Sequence, residues 1–194
     1  MKKIKLTNNA PVILYFSLIS LVVLILHYVT GGKSTSLLFS SYHSSLASPL
    51  TFVRFFTHVL GHSGWQHYIG NISMLLLLGP MLEEKYGSRK ILIIMLITAF
   101  TAGVANYLLF PRVGILGASG IVFAFIMLTS FTSFHEGEIP ITVILVAVIF
   151  IGQEIWSGIT VSDNVSNFSH ILGGAVGSVV GYNLNVKKKE PKEA

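Results

Sequence analysis

The chain contains no cysteine, which excludes disulfide bonds, thiolate nucleophiles and cysteine-held metals. Charge is almost as scarce. Only 11% of the 194 residues are Asp, Glu, Lys or Arg, where a water-soluble domain carries about 25%. With 52% hydrophobic residues and a mean hydropathy of +0.72, the composition is that of a chain that lives in lipid. Acidic residues are the rarer charges, 8 against 13 basic ones, for a net +5. That excess does not mark a nucleic-acid ligand. No basic stretch interleaved with aromatics is present, and the cations sit at the edges of hydrophobic segments, as Lys187-Lys188-Lys189 does after the last one. Internal repeats and a separate soluble domain are also lacking, so the expectation is one membrane domain over 1–186 and a basic cytoplasmic tail over 187–194.

Six apolar stretches are present, at 11–30, 67–82, 91–110, 119–134, 139–156 and 168–186. A bilayer core of about 30 Å needs roughly 20 helical residues, so the shorter stretches are expected to extend into their flanks or to run through protein interior. Gly79-Pro80 is expected to bend or end the second. The first is too long for a signal-peptide core and no small-x-small cleavage site follows, which favours a retained anchor. Placing the N-terminus inside puts Lys2, Lys3, Lys5, Lys85, Arg89, Lys90, Lys187, Lys188, Lys189 and Lys192 on the inner side and leaves Lys33, Arg54 and Arg112 outside. This follows the positive-inside rule, with both termini cytoplasmic. Between the first two stretches, residues 31–65 are rich in serine but also carry Tyr42, Phe52, Phe55, Phe56 and Trp65. A structured segment partly embedded at the interface is expected there, against the plainer reading of an ordinary outer connection.

Polar residues inside these stretches carry the chemistry, since lipid penalises them unless they face protein or water. Gly117-Ala118-Ser119-Gly120 opens the fourth stretch, and Ser169-His170-Ile171-Leu172-Gly173 opens the sixth. A serine at a helix start is often only a cap. Here the flanking glycines leave backbone N–H groups free beside the hydroxyl, so one helix start supplies a nucleophile and part of an oxyanion hole. His170 is the candidate base. His67 and Asn71, one turn apart, are suited to stabilising oxygen charge, although Asn71 could equally bond across helices. His58 and His62 share that spacing and raise metal binding, but no His-Glu-x-x-His motif accompanies them, and neither metal nor cofactor is expected. Ser169, Gly173, Gly177 and Gly181 recur every four residues, while Gly174 and Ser178 continue the line from His170; Gly120 and Ala124 form a matching small line on the fourth stretch. Such faces allow close helix packing, with or without catalysis.

The ordered set His67-x-x-x-Asn71, Gly117-Ala118-Ser119-Gly120 and His170-x-x-Gly173-x-x-x-Gly177 resembles the rhomboid family of intramembrane serine proteases, in its compact six-span bacterial form, over about 51–182. The resemblance implies an all-α, six-helix polytopic bundle with an embedded hairpin, containing Arg54, between helices 1 and 2. It also implies hydrolysis of peptide bonds in or near transmembrane segments by a Ser119–His170 dyad. His67, Asn71 and the Ser119 N–H would stabilise the oxyanion, and Gly120, Gly173, Gly177 and Gly181 would pack the helices. No catalytic carboxylate is implied, so Glu154 and Asp163 are not assigned to a triad. Phe123 stands where bacterial relatives commonly have Tyr; it can stack on the imidazole but has no hydroxyl to donate. Expected partners are the bilayer and transmembrane protein substrates, and the expected place is a bacterial inner membrane with the site opening to the outer side. Two other classes remain: a non-proteolytic rhomboid-like protein that binds transmembrane helices, and a small transporter, for which no paired carboxylates or repeated half-structure are present.

Overall fold

The computed structural model describes residues 7–133, 141–160 and 164–186. They form eight α-helices: α1 (Pro11–Val29), α2 (Lys33–Leu38), α3 (Pro49–Thr57), α4 (Trp65–Tyr86), α5 (Ser88–Leu109), α6 (Ser119–Ser130), α7 (Ile141–Thr160) and α8 (Asn164–Val186). Six of these match the apolar stretches, and α2 and α3 occupy the segment between the first two. The protein is an all-α membrane bundle. Among the described residues, α1 and α5 are long and apolar enough to cross a membrane on composition alone. The outward face of α1, with Tyr15, Leu18, Ile19, Val22 and Ile25, is exposed to the surroundings, as a lipid-facing helix requires. The basic tail at 187–194, the lysines at 2, 3 and 5, and Asp163 lie outside the described residues.

The helix starts follow from local chemistry. Proline opens α1 and α3, where its missing N–H costs nothing. No side chain caps α1 locally; instead the buried Glu83 of α4 accepts the free amides of Val12 at 3.0 Å and Ile13 at 3.1 Å. This contact corrects the expectation for α4. The helix neither ends at Leu82 nor stops at Pro80 but runs on to Tyr86. The absence of a side chain at Gly79 lets α1 approach so closely that a Cβ there would lie 2.6 Å from Ile13. Packing onto α1 thus holds the helix together past the bond that proline removes.

The centre of the bundle is α6. Its 12 residues span about 18 Å, too little for a bilayer, and Gly120, Ile121, Val122, Ala124, Phe125, Met127 and Leu128 are buried. It runs through protein interior, surrounded by α4, α5, α7 and α8. The segment at 31–65 is structured as expected. Arg54 is buried, donates from Nε to the Leu37 carbonyl at 2.8 Å and lies 4.4 Å from the centre of the Tyr42 ring. It thereby ties α3 back to the end of α2.

Candidate active site

The segment that delivers the chain into α6 is held from several sides. Ser41 and Ile115 exchange both backbone hydrogen bonds at 2.9 Å. The Asn106 amide donates to the carbonyls of Ser41 and Val113, each at 3.0 Å, and the Gly117 N–H donates to the His58 carbonyl at 3.0 Å. Gly117 has a φ of +116°, a conformation that other residues rarely adopt. A Cβ at that point would also meet the His67 ring, 2.6 Å from Nε2, and would lie 3.6 Å from Asn71 Nδ2. The imidazole and the amide therefore converge on the backbone two residues before Ser119.

Ser119 is the first residue of α6, half-buried, with its N–H in the turn that has no partner inside the helix. It lines a cavity of about 480 Å³ together with His58, Ser63, His67, Gly117 and Ser169. No Asp or Glu lines that cavity among the described residues. Asn71 is buried on α4, and among the described residues its Nδ2 has no hydrogen-bond partner. A buried donor left open costs about 1–3 kcal/mol.

His170 lies in the second turn of α8, since that helix begins at Asn164, four residues before the expected start. Its ring stacks on Phe123 with centroids 4.3 Å apart and planes 5° from parallel. Phe123 is one turn beyond Ser119 on the same face of α6, so the imidazole sits over the face that carries the serine. The glycines make that approach possible. A Cβ on Gly173 would fall 2.0 Å from the Gly120 carbonyl oxygen, and one on Gly177 would fall 2.2 Å from that of Ala124. A Cβ on Gly181 would lie 2.9 Å from Phe131 Cβ and 3.0 Å from its ring. Backbone lies directly on backbone along α6 and α8.

The upstream histidines each bond to a backbone carbonyl. His58 is buried and donates from Nε2 to the Ala99 carbonyl at 3.0 Å, and burial lowers its pKa to about 4. His62 is fully buried and donates from Nδ1 to the Leu60 carbonyl at 3.2 Å; burial and then the neighbouring His67 lower its pKa to about 4. Both stay neutral near pH 7. Sequence reasoning left out Ser63 and the cavity-lining role of Ser169. The four-residue step from Ser63 to His67 was the available signal for the first.

Taken together, these elements define a polytopic all-α membrane protein whose central short helix begins with a serine on a polar cavity. The Rhomboid domain family matches residues 49–186, more than half of the chain, and the chain belongs to the rhomboid family. It is 29% identical over 160 residues to Rhomboid-related protein 2 of Mus musculus, covering 72% of this chain and 53% of that protein. Similarity extends to Rhomboid protease GluP of Bacillus subtilis, 27% over 179 residues, covering 88% of this chain and 34% of the relative. Rhomboid protease GlpG of Haemophilus influenzae is 28% identical over 136 residues, 66% of this chain and 68% of the relative. The chain spans about half or less of the length of most of these curated relatives.

Proposed function

We propose that this protein is an intramembrane serine endopeptidase that cleaves membrane proteins in or near their transmembrane segments through a Ser119–His170 dyad. The observation that carries the reading is the meeting of four features at one helix start: the Ser119 hydroxyl on a polar cavity, the His170 ring over the same face of α6, and two donors from α4 aimed at Gly117. In the reaction, Ser119 Oγ attacks the scissile carbonyl as His170 accepts its proton. The Ser119 N–H, His67 and Asn71 stabilise the developing oxyanion. His170 then protonates the departing amine, and water hydrolyses the acyl-enzyme by the same proton route reversed.

A serine-directed fluorophosphonate applied to the detergent-solubilised protein tests this. Labelling and substrate cleavage are both expected to vanish in Ser119→Ala while the protein stays folded. Cleavage that persists in a clean Ser119→Ala preparation overturns the assignment, and a folded wild type that binds transmembrane helices without reacting would be the non-cutting alternative. For location, we infer an inner-membrane protein with Ser88 inside and Arg112 outside. Single cysteines introduced at these positions into the cysteine-free chain report on this. An impermeant thiol reagent applied to intact cells should label position 112 and spare position 88, and the reverse pattern would refute the orientation.

A further inference from the structure

We propose that Ser63 is a positioning residue for His67, fixing the imidazole in the tautomer that presents a donor to the reaction; this rests on the function proposed above. Ser63 Oγ lies 3.2 Å from His67 Nδ1. The opposite nitrogen, Nε2, is the one directed at Gly117, where the oxyanion would form. A neutral imidazole carries its proton on one nitrogen only. If Nδ1 held it, Nε2 would turn a lone pair toward a forming negative charge and oppose the reaction. When the Ser63 hydroxyl donates to Nδ1, the proton belongs on Nε2 and the ring becomes an oxyanion donor.

The surroundings make Ser63 the residue that decides this. His62 packs edge-on against His67 with centroids 5.1 Å apart, but its own Nδ1–H is directed at the Leu60 carbonyl, so it walls the ring without bonding it. Asn71, the other donor, sits one turn away on α4 and approaches the same backbone point as Nε2. The sequence supplies the contact through the four-residue step from Ser63 to His67, which carries the hydroxyl from just before α4 onto its first turn. Ser63 is exposed and also lines the cavity, which makes direct contact with substrate the rival role to be separated by experiment.

Selective ¹⁵N labelling of histidine with two-bond ¹H–¹⁵N correlation reads the tautomer of His67 in the resting protein. The Nε2–H form is expected in the wild type and a mixture with Nδ1–H in Ser63→Ala. In cleavage assays, Ser63→Ala should lower kcat roughly threefold to tenfold with KM unchanged, the loss that one neutral hydrogen bond implies, and Ser63→Thr should restore it. Ser63→Ala should add nothing in a His67→Ala background. A wild-type Nδ1–H tautomer, a rise in KM alone, or an equal loss in the His67→Ala background would each overturn the proposal. Because the tautomer is read without substrate, loss of the Nε2–H form in Ser63→Ala together with no Ser119-dependent cleavage would instead overturn the proposed protease function while keeping the hydrogen bond.

Discussion

Replacing Gly173 by alanine tests whether the α6–α8 contact sets the geometry of the dyad. The added Cβ would lie 2.0 Å from the Gly120 carbonyl oxygen, 2.8 Å from its carbon and 3.0 Å from its Cα. Both partners are backbone, so no side chain can rotate away. Ordinary contact begins near 3.4 Å, and the two helices must part locally by about 1.4 Å. Overpacking of this kind costs about 1–3 kcal/mol, which a folded bundle survives. Its effect on catalysis is larger, because Gly173 lies one turn from His170 and Gly120 is next to Ser119. A displacement of about 1 Å between reacting groups can cost on the order of 10²-fold in rate. Gly173→Ala is therefore expected to remain folded, with a modestly lowered Tm, and to lose about 100-fold in fluorophosphonate labelling rate and in cleavage. Gly174→Ala is the control: its Cβ would meet only Met127 Cγ at 3.6 Å, ordinary contact, and activity should be nearly unchanged. A Gly173→Ala protein with wild-type rates would refute the claim that this backbone contact positions the dyad.

Glu83→Gln keeps the shape but weakens the acceptor that holds the amides of Val12 and Ile13, and Glu83→Ala removes it. The alanine variant should lose about 1.5–3 kcal/mol of stability, read as a lower thermal midpoint, with cleavage preserved at low temperature; an unchanged midpoint would mean that water replaces the carboxylate. Phe123→Leu removes the ring under His170 and should slow acylation roughly threefold to tenfold, in line with about 0.5–1.5 kcal/mol for a ring pair; equal rates would show that the stacking does not orient the base. Stability should also fall with acid. His58 titrates near pH 4 when folded and near 6.5 when unfolded, so the unfolded chain binds the extra proton between these values. Its contribution is fully present above about pH 6.5 and declines by about 3 kcal/mol as pH falls to 4. His58→Gln should flatten that slope in denaturation measured across this window, and an unaltered slope would assign the effect to other groups.

The parts of this molecule that were legible in the sequence are those with a period or a fixed local spacing. Small residues every four positions along α8 showed which face meets α6, and the strings around Ser119, His67 and His170 pointed to the rhomboid family, to which the chain belongs. What stayed hidden depends on contacts between distant segments. The continuation of α4 through Pro80 follows from Ile13, which lies 67 residues upstream, closing on Gly79. Length left open whether the stretch at 119–134 extends into its flanks or runs through protein interior, and hydropathy could not decide, because burial in protein and burial in lipid select the same side chains. The spacing of His58 and His62 invited a metal reading; their partners, the carbonyls of Ala99 and Leu60, could be found only in three dimensions.

The same distinction explains how the site is built. If the dyad depended on side-chain packing between α6 and α8, rotamer changes would let His170 drift relative to Ser119. Here Gly173 and Gly177 each face one backbone carbonyl, of Gly120 and Ala124, with no side chain between. A slip of one residue along α8 would shift the helix by about 1.5 Å and rotate it by about 100°, bringing a residue with a Cβ against a carbonyl that leaves no room for one. The register of the two helices is thereby locked by the lack of atoms, and the stacked Phe123 then needs to fix only the plane of the imidazole. Among the described residues, buried polar atoms without a partner lie close by, at Asn71 Nδ2, His58 Nδ1 and His62 Nε2. In the proposed reaction, a rigid frame around an open Asn71 donor would let its hydrogen bond form with the transition state and not before it.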